Sequence, residues 1–245
     1  GPIDYVSHTS CPSVHAADDI SVMETNEAIP YQILSTRAFM GNDLEYRIGP
    51  SQLGCRENPY GKANTPNPDN LRVCLSDIDP RQRGQFNAAW MLGYIAACAR
   101  GGIDWLALGA PSGPFGYIHR RGWPTAPYFD ECREQAVYPG FHVFAGLAGH
   151  GGGDLLHTQV EPKGAVEALA VRGAGHTELW LANRTADAVT ANIGAPAQAG
   201  ARIAILDAEG FKRLTLDPDY LDSSERPLAG STVSLDAYAV ARIRF

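Results

Sequence analysis

The chain has 245 residues, 44% apolar and 19% charged, which is ordinary for a globular protein and leaves room for one large domain or two modest ones. A net charge of −7 gives no electrostatic footprint for nucleic acid or an anionic membrane, and no apolar run approaches the ~20 residues of a membrane span. Five widely spread cysteines without a C-x-x-C pair argue against a structural zinc site on cysteine and read as reduced thiols in a cytoplasmic protein.

Gly1-Pro2 reads as a tag scar or as the exposed end of a longer chain. Residues 3–11 read as a buried strand that breaks into a polar loop holding His8, Ser10, His15, Asp18 and Asp19. Ser21-Val22-Met23-Glu24 has the spelling of a capping box, so a helix opens there, is interrupted at Pro30 and stops at Gly41. Residues 44–48 form a second strand, and a long loop rich in Asn and Pro runs on through Asn70. Asp79-Pro80-Arg81-Gln82 reads as N-cap, first-turn proline and capping partner of a helix reaching about Arg100. Residues 103–108 are a third strand, a Gly/Pro loop follows, and residues 141–148 suggest one more helix.

From about residue 160 the texture changes. Short β-prone runs at 166–171, 178–181, 188–193, 202–206, 213–216 and 232–245 alternate with turn clusters, the spacing of an antiparallel sandwich. The coarse map is α/β plus all-β: residues 1–155 as the last three strand–helix units of a TIM (β/α)8 barrel, and residues 156–245 as a C-terminal β-sandwich. Three units fill only about half of a barrel of ~250 residues, so the remainder is expected to precede residue 1. An open doubly wound sheet is the alternative, but its Gly-rich fingerprint and a P-loop are both missing.

In such barrels the chemistry sits on the loops after the strands. His15 near Asp18 suits acid–base work, since a carboxylate orients an imidazole that titrates near neutral pH. Asp18 or Asp19 serves equally well as a charge that only complements a helix start, and both readings stand at this point. A metal on His8 and His15 fits no standard spacing, and neither metal nor cofactor is expected. Arg56 and Asn58 on the second loop suit a polyhydroxylated or carboxylate-bearing ligand, and Asp77 and Arg81 form a further polar cluster. Tyr60 and Trp123 are candidates to stack on a sugar-like face. His150-Gly151-Gly152-Gly153 spells the oxyanion motif of lipases, but no G-x-S-x-G elbow accompanies it, and a flexible linker is the expectation. Asn183-Arg184-Thr185 is a glycosylation sequon by spelling alone.

Pro12-Ser13-Val14-His15-Ala16-Ala17-Asp18-Asp19, Ser21-Val22-Met23-Glu24-Thr25, Ile48-Gly49-Pro50-Ser51-Gln52-Leu53, Arg56-Glu57-Asn58-Pro59-Tyr60 and Arg81-Gln82 together resemble the D-apionate lactonase family. Tyr138-Pro139-Gly140-Phe141-His142-Val143 and the β-rich tail resemble that family's passage into its C-terminal domain. The resemblance implies a TIM barrel related to clan A glycosidases, with residues 3–11, 44–48 and 103–108 as strands six, seven and eight. It also implies hydrolysis of D-apionolactone to D-apionate in apiose breakdown.

A clan A glycosidase carries its nucleophilic Glu at the end of strand seven, one of two carboxyls about 5–5.5 Å apart. Here that place holds Gly49, Pro50, Ser51 and Gln52. A clan A glycoside hydrolase is therefore disfavoured, and a non-catalytic carbohydrate-binding protein is the other alternative. Lactone hydrolysis survives the loss, because it needs only an activated water, an oxyanion donor and a proton for the leaving alkoxide. The expected catalytic set is His15 with Asp18 or Asp77. Arg56, Asn58 or Arg81 would hold the oxyanion and the hydroxyls, and His8 and Ser10 would contact substrate. The expected partners are a small sugar lactone and the rest of the same barrel.

Overall fold

The computed structural model describes residues 3–122, 124–161, 164–173, 175–194 and 200–245, so Gly1-Pro2 lies outside the described residues. The chain divides into two compact units, Gly1–Gln82 with Tyr94–Glu131, and Arg83–Gly93 with Cys132–Phe245.

In the first unit β1 (Tyr5–His8) leads through the polar loop into α1 (Asp19–Glu24), a 3-10 turn (Thr25–Ala28) and α2 (Ile29–Met40). The helix cap is Asp18 and not Ser21 as the capping-box spelling predicts. Asp18 Oδ1 accepts the Ser21 N–H at 2.9 Å, so the helix opens earlier and Ser21 lies inside it. Pro30 falls in the first turn of α2, where its missing N–H leaves nothing unpaired, and Gly41 ends the helix at φ 79°.

β2 (Glu45–Ser51) pairs parallel with β1, His8 opposite Ile48. It extends to Ser51, past the predicted end at residue 48. Gly49 permits this, because a Cβ there would stand 2.6 Å from the Ala107 carbonyl oxygen on the neighbouring strand. The long excursion then reaches a 3-10 turn (Pro80–Arg83) and α3 (Gln85–Arg100), of which the stretch up to Gly93 belongs to the second unit and Tyr94 onward to the first. β3 (Trp105–Leu108) pairs parallel with β2, giving the order β1-β2-β3. Helical crossovers between parallel strands make the repeating unit of an α/β barrel, and all three strands end on one side. The loops 9–18, 52–79 and 109–126 therefore share the carboxyl-end face. A short helix, α4 (Pro127–Asp130), closes this unit.

The second unit contains α5 (Pro139–Ala148), β4 (Asp154–Leu156), β5 (Val166–Arg172), β6 (Thr177–Asn183), β7 (Val189–Asn192), β8 (Arg202–Leu206), α6 (Phe211–Leu216), α7 (Tyr220–Ser223), β9 (Arg226–Pro227), β10 (Thr232–Leu235) and β11 (Val240–Arg244). Six strands form one antiparallel sheet in the order β4-β5-β6-β11-β8-β9, and β10 and β7 form a second. Ala168, Leu181, Ile203, Ala241 and Ile243 of the large sheet pack against Ile193, Val233 and Leu235 to make the sandwich core. The opposite face of the large sheet holds Trp180, whose ring lies where a Cβ on Gly146 of α5 would be.

Two expectations change here. Residues 213–216 are part of helix α6, not a strand; buried Leu214 follows Phe211 by three residues, so its apolar spacing serves a helix as well as an alternating strand. His150-Gly151-Gly152-Gly153 is a tight turn and not a free linker. The Gly153 N–H bonds to the His150 carbonyl at 2.9 Å, and β4 joins the sheet at once. Among the described residues no helix is long and apolar enough to cross a membrane.

Candidate active site

The carboxyl ends of β1, β2 and β3 carry most of the polar residues predicted to matter. His8, the last residue of β1, shares a 2.6 Å hydrogen bond between Nε2 and the buried Tyr46 hydroxyl, and its Nδ1 lies 3.1 Å from the Thr9 carbonyl. Ser10 bonds through Oγ to the Tyr94 hydroxyl at 2.6 Å and to Ser51 Oγ at 3.2 Å. Ser51 Oγ in turn lies 3.0 Å from Tyr94, closing a ring of three hydroxyls. Burial pushes the Tyr94 phenol well above its usual range, so this ring stays neutral.

His15 is exposed, and its Nδ1 lies 3.4 Å from the Tyr60 hydroxyl with the two rings edge to face. Among the described residues no hydrogen bond joins His15 to Asp18 or Asp77. Asp18 spends its carboxylate on the Ser21 N–H, which holds it below the usual carboxylate range. Asp77 is half-buried, its backbone carbonyl lying against Gly54.

Arg56 reaches across two loops. Its Nε donates to Gln52 Oε1 at 3.2 Å, its Nη2 donates to the Gly109 carbonyl at 3.1 Å, and its guanidinium stacks on Phe115 at 4.5 Å. This fixes an exposed positive charge over the ends of β2 and β3. Asn58 closes its own loop, accepting from the Tyr60 N–H and donating to the Ala63 carbonyl, and so positions Tyr60. Arg81 is buried. Its fork donates to Asp79 Oδ1 at 3.0 Å and Oδ2 at 2.7 Å, and Nη1 donates to Asp19 at 3.0 Å. Trp123 lies outside the described residues.

Ser51, Gln52, Tyr46 and Tyr94 escape a reading of the sequence alone. Tyr94 reads as an ordinary apolar face of α3, and only the sheet topology brings it to Ser51. The end of β2 holds buried Ser51 and Gln52 where glycosidases of this architecture need a carboxylate. None of the five cysteines is in a disulfide; burial pushes the Cys11 thiol up to about 11 and the Cys98 thiol up to about 12.

Parallel strands with helical crossovers and polar loops at one end, followed in sequence by an antiparallel sandwich, define a class of fold: an α/β barrel with a β domain after it. A bifunctional glucanase-xylanase from a metagenome library matches with a TM-score of 0.57 at 14% identity, over 99% of this chain and 43% of that structure. An arabinofuranosidase matches with the same TM-score at 10% identity, over 99% of this chain and 52% of that structure. At those identities the likeness concerns the fold.

Residues 1–152 match the family model of the D-apionate lactonase TIM barrel domain, and residues 163–243 match that of the D-apionate lactonase C-terminal immunoglobulin-like domain. The chain belongs to the D-apionate lactonase family. It is 34% identical over 224 residues to a D-apionate lactonase of Brucella anthropi, a match that covers 91% of this chain and 32% of that protein. The chain thus spans about a third of the length of this relative.

Proposed function

We propose that this chain is the part of a sugar-lactone hydrolase that carries the last barrel strands and the β domain, acting on D-apionolactone to give D-apionate in apiose breakdown. Membership of the D-apionate lactonase family carries the reading. The polar, carboxylate-free end of β2 supports it against glycoside cleavage.

In the proposed reaction His15, steadied by Tyr60, takes a proton from water as the water oxygen attacks the lactone carbonyl carbon. The oxyanion that develops is met by Arg56, held in place by Gln52, Gly109 and Phe115. Collapse of the tetrahedral intermediate breaks the ring C–O bond, and the His15 imidazolium returns its proton to the leaving alkoxide. His8, at the end of β1, and Ser10, just beyond it, contact the sugar hydroxyls. The Arg81 and Asp18 side chains are occupied by other partners and support the loops in this scheme.

The proposed partner is the remainder of the same barrel; exposed Tyr5 and Trp105 on the outer strands of the three-stranded sheet support this. A cytoplasmic setting belongs to the same proposal, supported by five cysteines of which none is in a disulfide. The test is a pH-drop assay of the complete protein on D-apionolactone. His15→Ala is expected to slow turnover by ~10²–10⁴. Wild-type rates in that variant would remove His15 from the chemistry, and release of a reducing sugar from a glycoside without lactone turnover would overturn the whole reading.

A further inference from the structure

A second polar cluster lies in the other unit, on the face of the large sheet opposite the sandwich core. His150 follows the end of α5, His176 precedes β6, and Glu178 lies on β6. Their ligand atoms all lie within 4.8 Å of one another. His150 Nε2 donates to Glu178 Oε2 at 2.9 Å, and His176 Nε2 lies 3.3 Å from Glu178 Oε1. Zinc bonds of ~2.0–2.1 Å in a tetrahedron put neighbouring donors about 3.3–3.4 Å apart. The two donor separations lie just below and at the lower end of that spacing, so small side-chain shifts would admit the ion.

We propose that His150, His176 and Glu178 form a zinc site that pins the end of α5 to β6. Two imidazoles and one carboxylate are a donor set suited to zinc, and the remaining coordination position faces a cavity of about 300 Å³. The carboxylate is oriented from behind. The Trp180 Nε1–H donates to Oε2 and the Arg244 Nε–H donates to Oε1, each at 2.8 Å.

Two arginines beside the site would repel a cation if they stood alone. They do not: Arg242 and Arg244 are each bridged to Asp222 and Glu225 at 2.6–3.0 Å. Along the cavity wall the carboxylates of Glu178, Asp219 and Asp222 face the guanidiniums of Arg242 and Arg244, an excess of one negative charge with the imidazoles neutral. A divalent ion meets that excess. Gly173 leaves the room that His150 needs, since a Cβ there would stand 3.0 Å from Nδ1.

The experiment titrates the metal-stripped 245-residue chain with Zn²⁺ by calorimetry and, in parallel, with Co²⁺ by visible absorption. One equivalent of zinc is expected to bind and to raise the melting temperature, with a tetrahedral cobalt spectrum free of thiolate charge-transfer bands. Glu178 is buried under four donors, so Glu178→Gln may fail to fold; His176→Ala, at a half-exposed position, carries the test and is expected to lose at least about tenfold in affinity. Absence of stoichiometric binding, unchanged binding in His150→Ala and His176→Ala, or a thiolate spectrum placing the ion on cysteine would each overturn the site.

Discussion

Replacing Arg81 by Met tests whether its guanidinium supports the loops or grips a substrate. The side chain is 5% exposed and pairs through both edges with Asp79, itself 3% exposed, while Nη1 reaches Asp19. Burial opposes the charge on Arg81, but the hydrogen bonds it donates to Asp79 and Asp19 outweigh this and hold the guanidinium protonated. Removing one member of such a buried pair leaves a desolvated carboxylate and costs about 3–5 kcal/mol. At ~2–4 °C per kcal/mol for a chain of this size, the melting temperature should fall by roughly 6–20 °C. Removing both charges, in Arg81→Met with Asp79→Leu, should recover most of that loss. A deficit of about 1 kcal/mol should remain, because Asp79 Oδ1 also caps the turn by accepting the Arg81 N–H at 2.9 Å. Thermal melts of the two single variants and the double variant complete the cycle. If Arg81→Met stays within about 0.5 kcal/mol of wild type and instead raises KM for the lactone, the structural account of this residue is wrong.

Three further outcomes are expected. Gly49→Ala should destabilise the first unit by about 3 kcal/mol, because the added methyl meets Ala107 and the residue keeps φ 139°; normal soluble yield and an unchanged melt would count against the close approach of β2 and β3. Asn183→Ala should cost about 3 kcal/mol, since the fully buried amide donates to the carbonyls of Asp187, Leu235 and Asp236 and accepts from Thr185. The same burial keeps the sequon closed to a glycosyltransferase while the domain is folded, which mass spectrometry of secreted material would check. The second unit should weaken steadily in acid. Burial lowers the His142 pKa from 6.5, so the unfolded chain binds a proton first and stability falls as pH drops below about 6.5. Burial alone would raise the Glu178 pKa from 4.5, but hydrogen bonds from Arg244, His150 and Trp180 prevail and lower it, so its contribution is present above pH 4.5 and is lost as pH falls through its folded value. A Trp180 melting signal that is flat from pH 7 to pH 5 would contradict the His142 shift, and one that stays flat on further acidification to pH 3 would contradict the Glu178 shift.

The barrel strands and the sandwich were legible because apolar runs and turn residues repeat at the period of each element. Misreadings arose where two local patterns compete. Ser21 and Asp18 both spell a cap, and the carboxylate three residues before a free N–H took the role. The run 213–216 alternates like a strand, yet Phe211 and Leu214 give it a helical face. The site was legible as a set of loops but not as a set of contacts. His15 finds Tyr60 from another loop, and Ser10, Ser51 and Tyr94 meet only after three elements have come together. Arg81 looks like a ligand-binding group because charged residues in loops usually are exposed; only burial reveals Asp79 and Asp19 as its partners.

β11 is a central strand whose two sides could hardly differ more: Ala241 and Ile243 enter the apolar interior, and Arg242 and Arg244 project toward Asp222, Glu225 and Glu178. A slip of one residue against β6 or β8 would drive both guanidiniums into hydrocarbon and expose the apolar pair to carboxylates. The strand thus specifies its own alignment, because the off-by-one pairing would leave two charges without partners.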